Sequence, residues 1–376
     1  MDVQQFKYSS ESGWSIPEFP QLDSEKTLVM VFAAPELCLD SEPFDQLRSH
    51  FTNSKIIGCS TAGEIYGEAL NDLSLAVAVA RFEETQVRVA STAIECPSDS
   101  YQAARRITEQ LFAQDLKAVL VLSDGLSVNG SQLILGLNEN LPAGVKITGG
   151  LAGDGPRFSK TFVLQDGLPT TNVVSAVGFY GESIRVGCGS EGGWDKFGHE
   201  RLVTKSQGNV LYELDGMPAL DIYKEYLGDK SSELPASALL FPLSIWKDGT
   251  PALTRTILSV NEEDKTMTFA GDIEQGSIAQ LLYANSDRLI LGAASAAKSA
   301  AANVGKNSLT IGISCVGRRL VLSDRTEEEL EITVETIPQD SKLIGFYSYG
   351  EISPVESNPS DLHNQSMTLT TFSEAA

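Results

Sequence analysis

Two glutamates in matching surroundings are the first residues in this sequence that could do chemistry. Glu64 and Glu351 each belong to the pattern Gly-x-x-x-x-Gly-Glu-Ile, at 58–65 and 345–352, and across 55–65 and 342–352 six of eleven positions are identical. A carboxyl at such a glycine turn can hold an ammonium group, take part in acid–base chemistry, or fasten its own turn. Ser60, Thr61 and Gly63 lie in the first copy, Tyr347, Tyr349 and Gly350 in the second, and Arg318 and Asn364 in the same last unit of the chain, from Ser308 onward. Arginine holds a carboxylate bidentately while a turn glutamate holds an ammonium, which together complement an amino acid. The structural alternative pairs Arg318 with the glutamates to fasten the turns.

The histidines are His50, His199 and His363, the last beside the second glutamate turn. Cys59 next to Ser60 would serve as a nucleophile only with a histidine at hand. There is no Gly-x-Ser-x-Gly elbow, HExxH or phosphate loop, so a hydrolase built on Cys59 or on Glu64 and Glu351 is the remote alternative and a non-enzyme is expected.

The elements that must position these residues repeat as well. Each glutamate copy is an apolar run opening into a glycine turn, preceded by a strand and a helix-like segment: Leu28 to Phe32 with Phe44 to Phe51, and Ser308 to Ile313 with Thr326 to Ile337. A shorter third copy is read at Lys146 to Asp154, after Ala118 to Leu122 and Ser131 to Leu141. The unit expected is strand, helix, strand, glycine turn, strand, in an α/β fold of mixed sheets and helices. Residues 1–26 read as an irregular lead-in, and 228–235, with Gly228, Ser231, Ser232 and Pro235, as a linker. Gly187 to Gly198 has no phosphate-loop spacing and reads as turns and close packing; the alanine-rich segment within Leu289 to Asn303 would permit close helix packing.

A formal net charge of −22 argues against nucleic acid and anionic lipid as partners. No run of about 18 apolar residues is present, the N-terminus has no secretory pattern, and five scattered cysteines suit a reducing compartment, so a cytoplasmic protein without a membrane span is expected.

The motifs resemble the FIST family of bacterial sensory modules. Gly-Cys-Ser-Thr-Ala-Gly-Glu-Ile at 58–65, Gly-Gly-Leu-Ala-Gly-Asp at 149–154 and Gly-Asn-Val-Leu-Tyr-Glu-Leu-Asp-Gly at 208–216 match the N-terminal FIST pattern. Ser-Cys-Val-Gly-Arg at 314–318, Tyr-Gly-Glu-Ile at 349–352 and Leu-His-Asn-Gln-Ser-Met-Thr-Leu at 362–369 match the C-terminal one. The resemblance implies a FIST N domain over 27–227, a FIST C domain over 236–376 and two closely associated halves. It also implies a ligand sensor rather than an enzyme, similar to stand-alone FIST proteins that bind haem, sense nitric oxide and act on a histidine kinase; a homo-oligomer is a further expectation. Under that resemblance His363 is the first choice of haem iron ligand and His199 the second. Sensing of a small polar metabolite such as an amino acid is the alternative.

Overall fold

The computed structural model describes residues 1–234, 236–247, 250–302, 304–354 and 359–375. Apolar runs that read as buried strands form the centres of three sheets. Thr27–Ala33 pairs in parallel with Lys55–Ser60, Leu116–Ser123 with Lys146–Leu151, and Leu309–Cys315 with Lys342–Ser348. Each first strand also pairs antiparallel with the strand that ends its unit, Ser74–Arg81, Val173–Tyr180 or Met367–Glu374. The repeat is therefore threefold, and the mixed α/β architecture agrees with the sequence reading.

One glycine in each unit occupies an equivalent register position. A Cβ added to Gly58, Gly149 or Gly345 would lie 2.1, 1.8 or 1.7 Å from the carbonyl oxygen of Val31, Val121 or Gly312 on the adjoining parallel strand. No side chain fits such an approach, which explains the first glycine of the motif.

The units then exchange their hairpins in a ring. The hairpin Glu64–Tyr66 with Ala69–Asn71 joins the third unit's sheet, Gly350–Pro354 with Ser360–His363 joins the second's, and Val163–Gln165 with Leu168–Thr170 joins the first's. Three backbone hydrogen bonds close the ring at the exchange corners: Ala62 N donates to Tyr347 O (2.8 Å), Tyr349 N to Leu151 O (3.2 Å) and Gly153 N to Ser60 O (3.0 Å). The inner faces of all three sheets contribute to one core, where Phe32 stacks on Phe346 with ring centroids 4.8 Å apart and Phe179 on Phe372 at 4.5 Å. Helices cover the outer faces, among them Glu42–His50, Ser100–Leu111, Gly130–Asn140, Ser286–Ala300 and Thr326–Thr336.

The middle copy differs from its sequence reading. Glu64 and Glu351 pair across the ladder with Phe346 and Gly150, each one residue beyond the conserved-geometry glycine of its strand; the residue facing Cys59 in the same way is Val163, not Asp154. Residues 154–162 form an insertion that displaces the register, so counting from the glycines misplaces the acid.

Residues 1–26 also depart from expectation. Asp2–Ser9 is a strand paired along its whole length with Ser74–Arg81. Only Phe6 among its residues is buried, so the stretch carries little apolar alternation and its place is set by backbone pairing. The glycine-rich stretch does serve close packing: a Cβ at Gly187 or Gly189 would meet the carbonyls of Ala300 and Ala296 at 1.9 and 2.0 Å, on the alanine-rich helix.

A lobe from Asp195 to Tyr283 carries a fourth sheet with its own core, in which Val203, Leu220 and Leu227 share contacts with Ala238, Leu243 and Leu281. The stretch read as a linker lies within this lobe: Gly228–Glu233 forms a 3₁₀ turn directly after the helix Ala219–Leu227, and Pro235 lies outside the described residues.

Candidate functional site

At the first corner the turn after Lys55–Ser60 carries its polar residues inward. Glu64, 1% exposed, accepts hydrogen bonds from the Thr61 hydroxyl and from Ser74 through both N (3.1 Å) and Oγ (2.7 Å). Burial raises its pKa to about 7 despite these bonds, which favour the anion. The third corner repeats the arrangement. Glu351 accepts from Ser348 Oγ (2.6 Å), Ser366 N (3.2 Å) and Ser366 Oγ (3.0 Å), and burial raises its pKa to about 8. In the second unit Val163 stands in place of the glutamate and Val173 in place of the serine, so acid and donor are both replaced by apolar groups.

Among the described residues, Glu64 also lines a cleft. The cavity, about 480 Å³, is bounded by all three units: Thr61 and Glu64 from the first, Pro156 and Arg157 from the insertion of the second, Arg319 and Leu320 from the third. Arg319 donates from Nη1 to Ala62 O (2.6 Å) and makes a bidentate pair with Asp72 (2.9 and 2.6 Å), its guanidinium 5.9 Å from the Tyr347 ring centre. Arg157 donates to Asp154 O (2.7 Å) and pairs with Glu36. The result is an apolar cleft with a buried carboxyl near neutrality and two arginines at its edges, a combination able to take a small molecule with separate apolar and charged parts.

The residues singled out in the sequence divide between corners. Thr61, Gly63 and Glu64 line the cleft. Ser60 is a joint: its hydroxyl donates to Gly153 O (2.8 Å) and accepts from Phe162 N (2.9 Å). Tyr347 and Tyr349 are buried; the Tyr349 hydroxyl bonds Asp154 and Gly155 O, holding the inserted segment, while Phe158 stacks on its ring at 4.3 Å. Gly350 and Glu351 belong to the third-corner turn, and Asn364 is 1% exposed beside it.

Arg318 does not pair with Glu64 or Glu351. Fully buried, it binds Glu329 through Nε (3.1 Å) and Nη2 (2.7 Å) and donates to the carbonyls of Gly192 (2.6 Å) and Leu289 (2.9 Å). Tyr347 OH and Ser314 Oγ complete the Glu329 carboxylate at 2.6 and 3.0 Å. Its neighbour Arg319 is the arginine of the cleft, because successive residues of the helix Val316–Leu322 point about 100° apart. Sequence reasoning missed Arg319, Asp72 and Arg157; the adjacent Arg318-Arg319 pair was the available signal.

The histidines fit a haem iron poorly. The partly buried His363 has Nδ1 3.2 Å from Ser190 Oγ and Nε2 3.1 Å from Ser353 O, so both ring nitrogens are engaged, and burial lowers its pKa. His199 is exposed on the lobe strand Asp195–Gln207 and does not line the first-corner cleft. As for the remote nucleophile reading, Cys59 is 1% exposed, and burial pushes its thiol pKa well above the ordinary value, away from a reactive thiolate.

Comparison with known proteins decides the family. The FIST N domain model matches residues 27–217, more than half of the chain, and the FIST C domain model matches 219–354. The chain belongs to the FIST family. FIST domains are generally sensory and are associated with small-ligand sensing in signalling. The junction of the two FIST models falls at 217–219, inside the lobe that shares one core. An uncharacterized protein of Methanocaldococcus jannaschii is 25% identical over 350 residues, a match covering 82% of this chain and 66% of that protein's length. Among solved structures, PurLQS from Thermotoga maritima matches with a TM-score of 0.16 and 9% identity, covering 93% of this FIST chain and 66% of the other, which is not a shared fold. No helix among the described residues is long and apolar enough to cross a membrane.

Proposed function

We propose that this FIST protein is a non-catalytic sensor that binds a small polar metabolite of the amino-acid type in the first-corner cleft and transmits its presence to a signalling partner such as a histidine kinase. The observation that carries the reading is Glu64, a buried carboxyl with a pKa of about 7 at a cleft that Arg319 and Arg157 also line. An ammonium group pairs with ionised Glu64, the arginines attract the carboxylate, and the apolar walls take the side chain. Because three units line the cleft, a ligand that favours one arrangement of them shifts the population seen by a partner.

Thermal melts across a metabolite panel test the proposal. A zwitterionic ligand should raise the melting temperature with a concentration dependence set by its dissociation constant. Its affinity should rise with pH through about 7, as Glu64 ionises, and Glu64→Gln should flatten that rise. Flat melts throughout would overturn the reading. A Soret band on haem addition that His363→Ala abolishes would favour haem and nitric-oxide sensing instead.

A further inference from the structure

A second cleft, about 600 Å³, lies between the helix Gly130–Asn140 of the second unit and the Asp195–Tyr283 lobe. One side presents Ile134 and Leu135; the other presents Trp246, Pro251 and Leu253. Arg255 lies at the cleft with only 5% of its surface exposed. Its Nε donates to Asp272 O (3.2 Å) and its Nη1 to Leu362 O (2.8 Å) and, longer, to Thr254 O (3.4 Å). Among the described residues Nη2 makes no hydrogen bond; its nearest carboxylate oxygen is Asp361 Oδ1, at 3.8 Å.

A guanidinium has five N–H donors in a fixed fork, and those of Arg255 Nη2 are used by no described residue at hydrogen-bond distance. The acidic side chains around it have partners of their own, and Asp361 also stands at ion-pair distance from Arg255. Asp272 accepts from Asn129 (3.1 Å) and Gln132 (3.0 Å), Asp361 Oδ1 accepts from Leu362 N (2.7 Å), and Glu274 pairs with Lys247. Among the described residues, the hydrogen-bonding capacity that Arg255 has left is thus a donor with positive charge, next to walls that are largely apolar.

We propose that this cleft is a second binding site, for a small monocarboxylate with an apolar body. Its carboxylate accepts from Arg255 Nη2, and its hydrocarbon part packs between Leu135 and Trp246. Polyanions are disfavoured by Asp272, Asp361 and Glu274 close by. Such a ligand touches the core helix and the lobe together, so it reports on, and fixes, the placement of one against the other.

The test is calorimetric titration of the full chain with straight-chain monocarboxylates from acetate to octanoate. Affinity should rise about fourfold per methylene until the cleft is filled, while an alkylammonium of equal length should not bind. Arg255→Gln should weaken octanoate at least tenfold. Leu135→Trp, on a residue 43% exposed, should do the same by filling the cleft while leaving the Arg255 hydrogen bonds in place, which covers misfolding of the first variant. Glu64→Gln should leave octanoate binding unchanged, separating this site from the first-corner cleft. Absence of binding across the series, undiminished affinity in Leu135→Trp, or an equal loss in Glu64→Gln would overturn the proposal.

Discussion

The first and third corners share a hydrogen-bond pattern and differ in what lies above it. Glu64 with Thr61 and Ser74 corresponds to Glu351 with Ser348 and Ser366. Above Glu64 is a cleft; around the third corner lie the buried Arg318–Glu329 pair and Trp194, whose Nε1 donates to Gln365 O at 2.7 Å. The glutamate–serine set is therefore a turn fastener in both places, and the cleft beside Glu64 is what makes that carboxyl a candidate ligand group. The second corner supports this division, since Val163 and Val173 fill the same positions without either acid or donor.

The largest effect should come from the closed corner. Arg318→Met leaves Glu329 buried without its cation and should cost about 3–5 kcal/mol in urea unfolding. Arg319→Ala, at a corner where the Asp72 partner is 61% exposed, should cost about 1 kcal/mol or less while reducing ligand affinity. Equal losses in the two variants would erase the proposed difference between corners.

The repeat geometry gives the next effect. Gly58→Ala and Gly345→Ala each force a Cβ against a backbone carbonyl and should destabilise by about 1–3 kcal/mol, measured the same way. Similar costs at both sites would sharpen the equivalence of the units; a neutral result at either would break it.

The smallest effect is a slope. Glu64 and Glu351 have folded-state pKa values of about 7 and 8, above the ordinary 4.5, so the folded state binds protons more tightly than the unfolded chain between those values. Their contribution makes stability fall as pH rises from about 4.5 to 8. Glu374 opposes this at lower pH: burial acts against its ionisation, but hydrogen bonds from Glu83, Thr85 and Glu84 hold its pKa at about 2, so its contribution is lost as pH falls from about 4.5. Stability curves of Glu64→Gln and Glu351→Gln should both lose part of the neutral-range slope, and an unchanged slope in either would show that its carboxyl is ionised as easily folded as unfolded.

By itself the sequence determined the buried strands, the glycines at 58 and 345, the paired glutamates and the family motifs, because each of these is written in local residue type and spacing. Tertiary structure decided the rest. The exchange of hairpins among three units depends on which sheet edges remain open, and no local pattern records that choice. An insertion at 154–162 moved the glutamate position of the middle unit onto Val163, out of reach of motif counting. Whether Arg318 or Arg319 faces a cleft rests on the rotation of one short helix against its neighbours, and Arg255 comes to line a cleft only where the lobe meets the core.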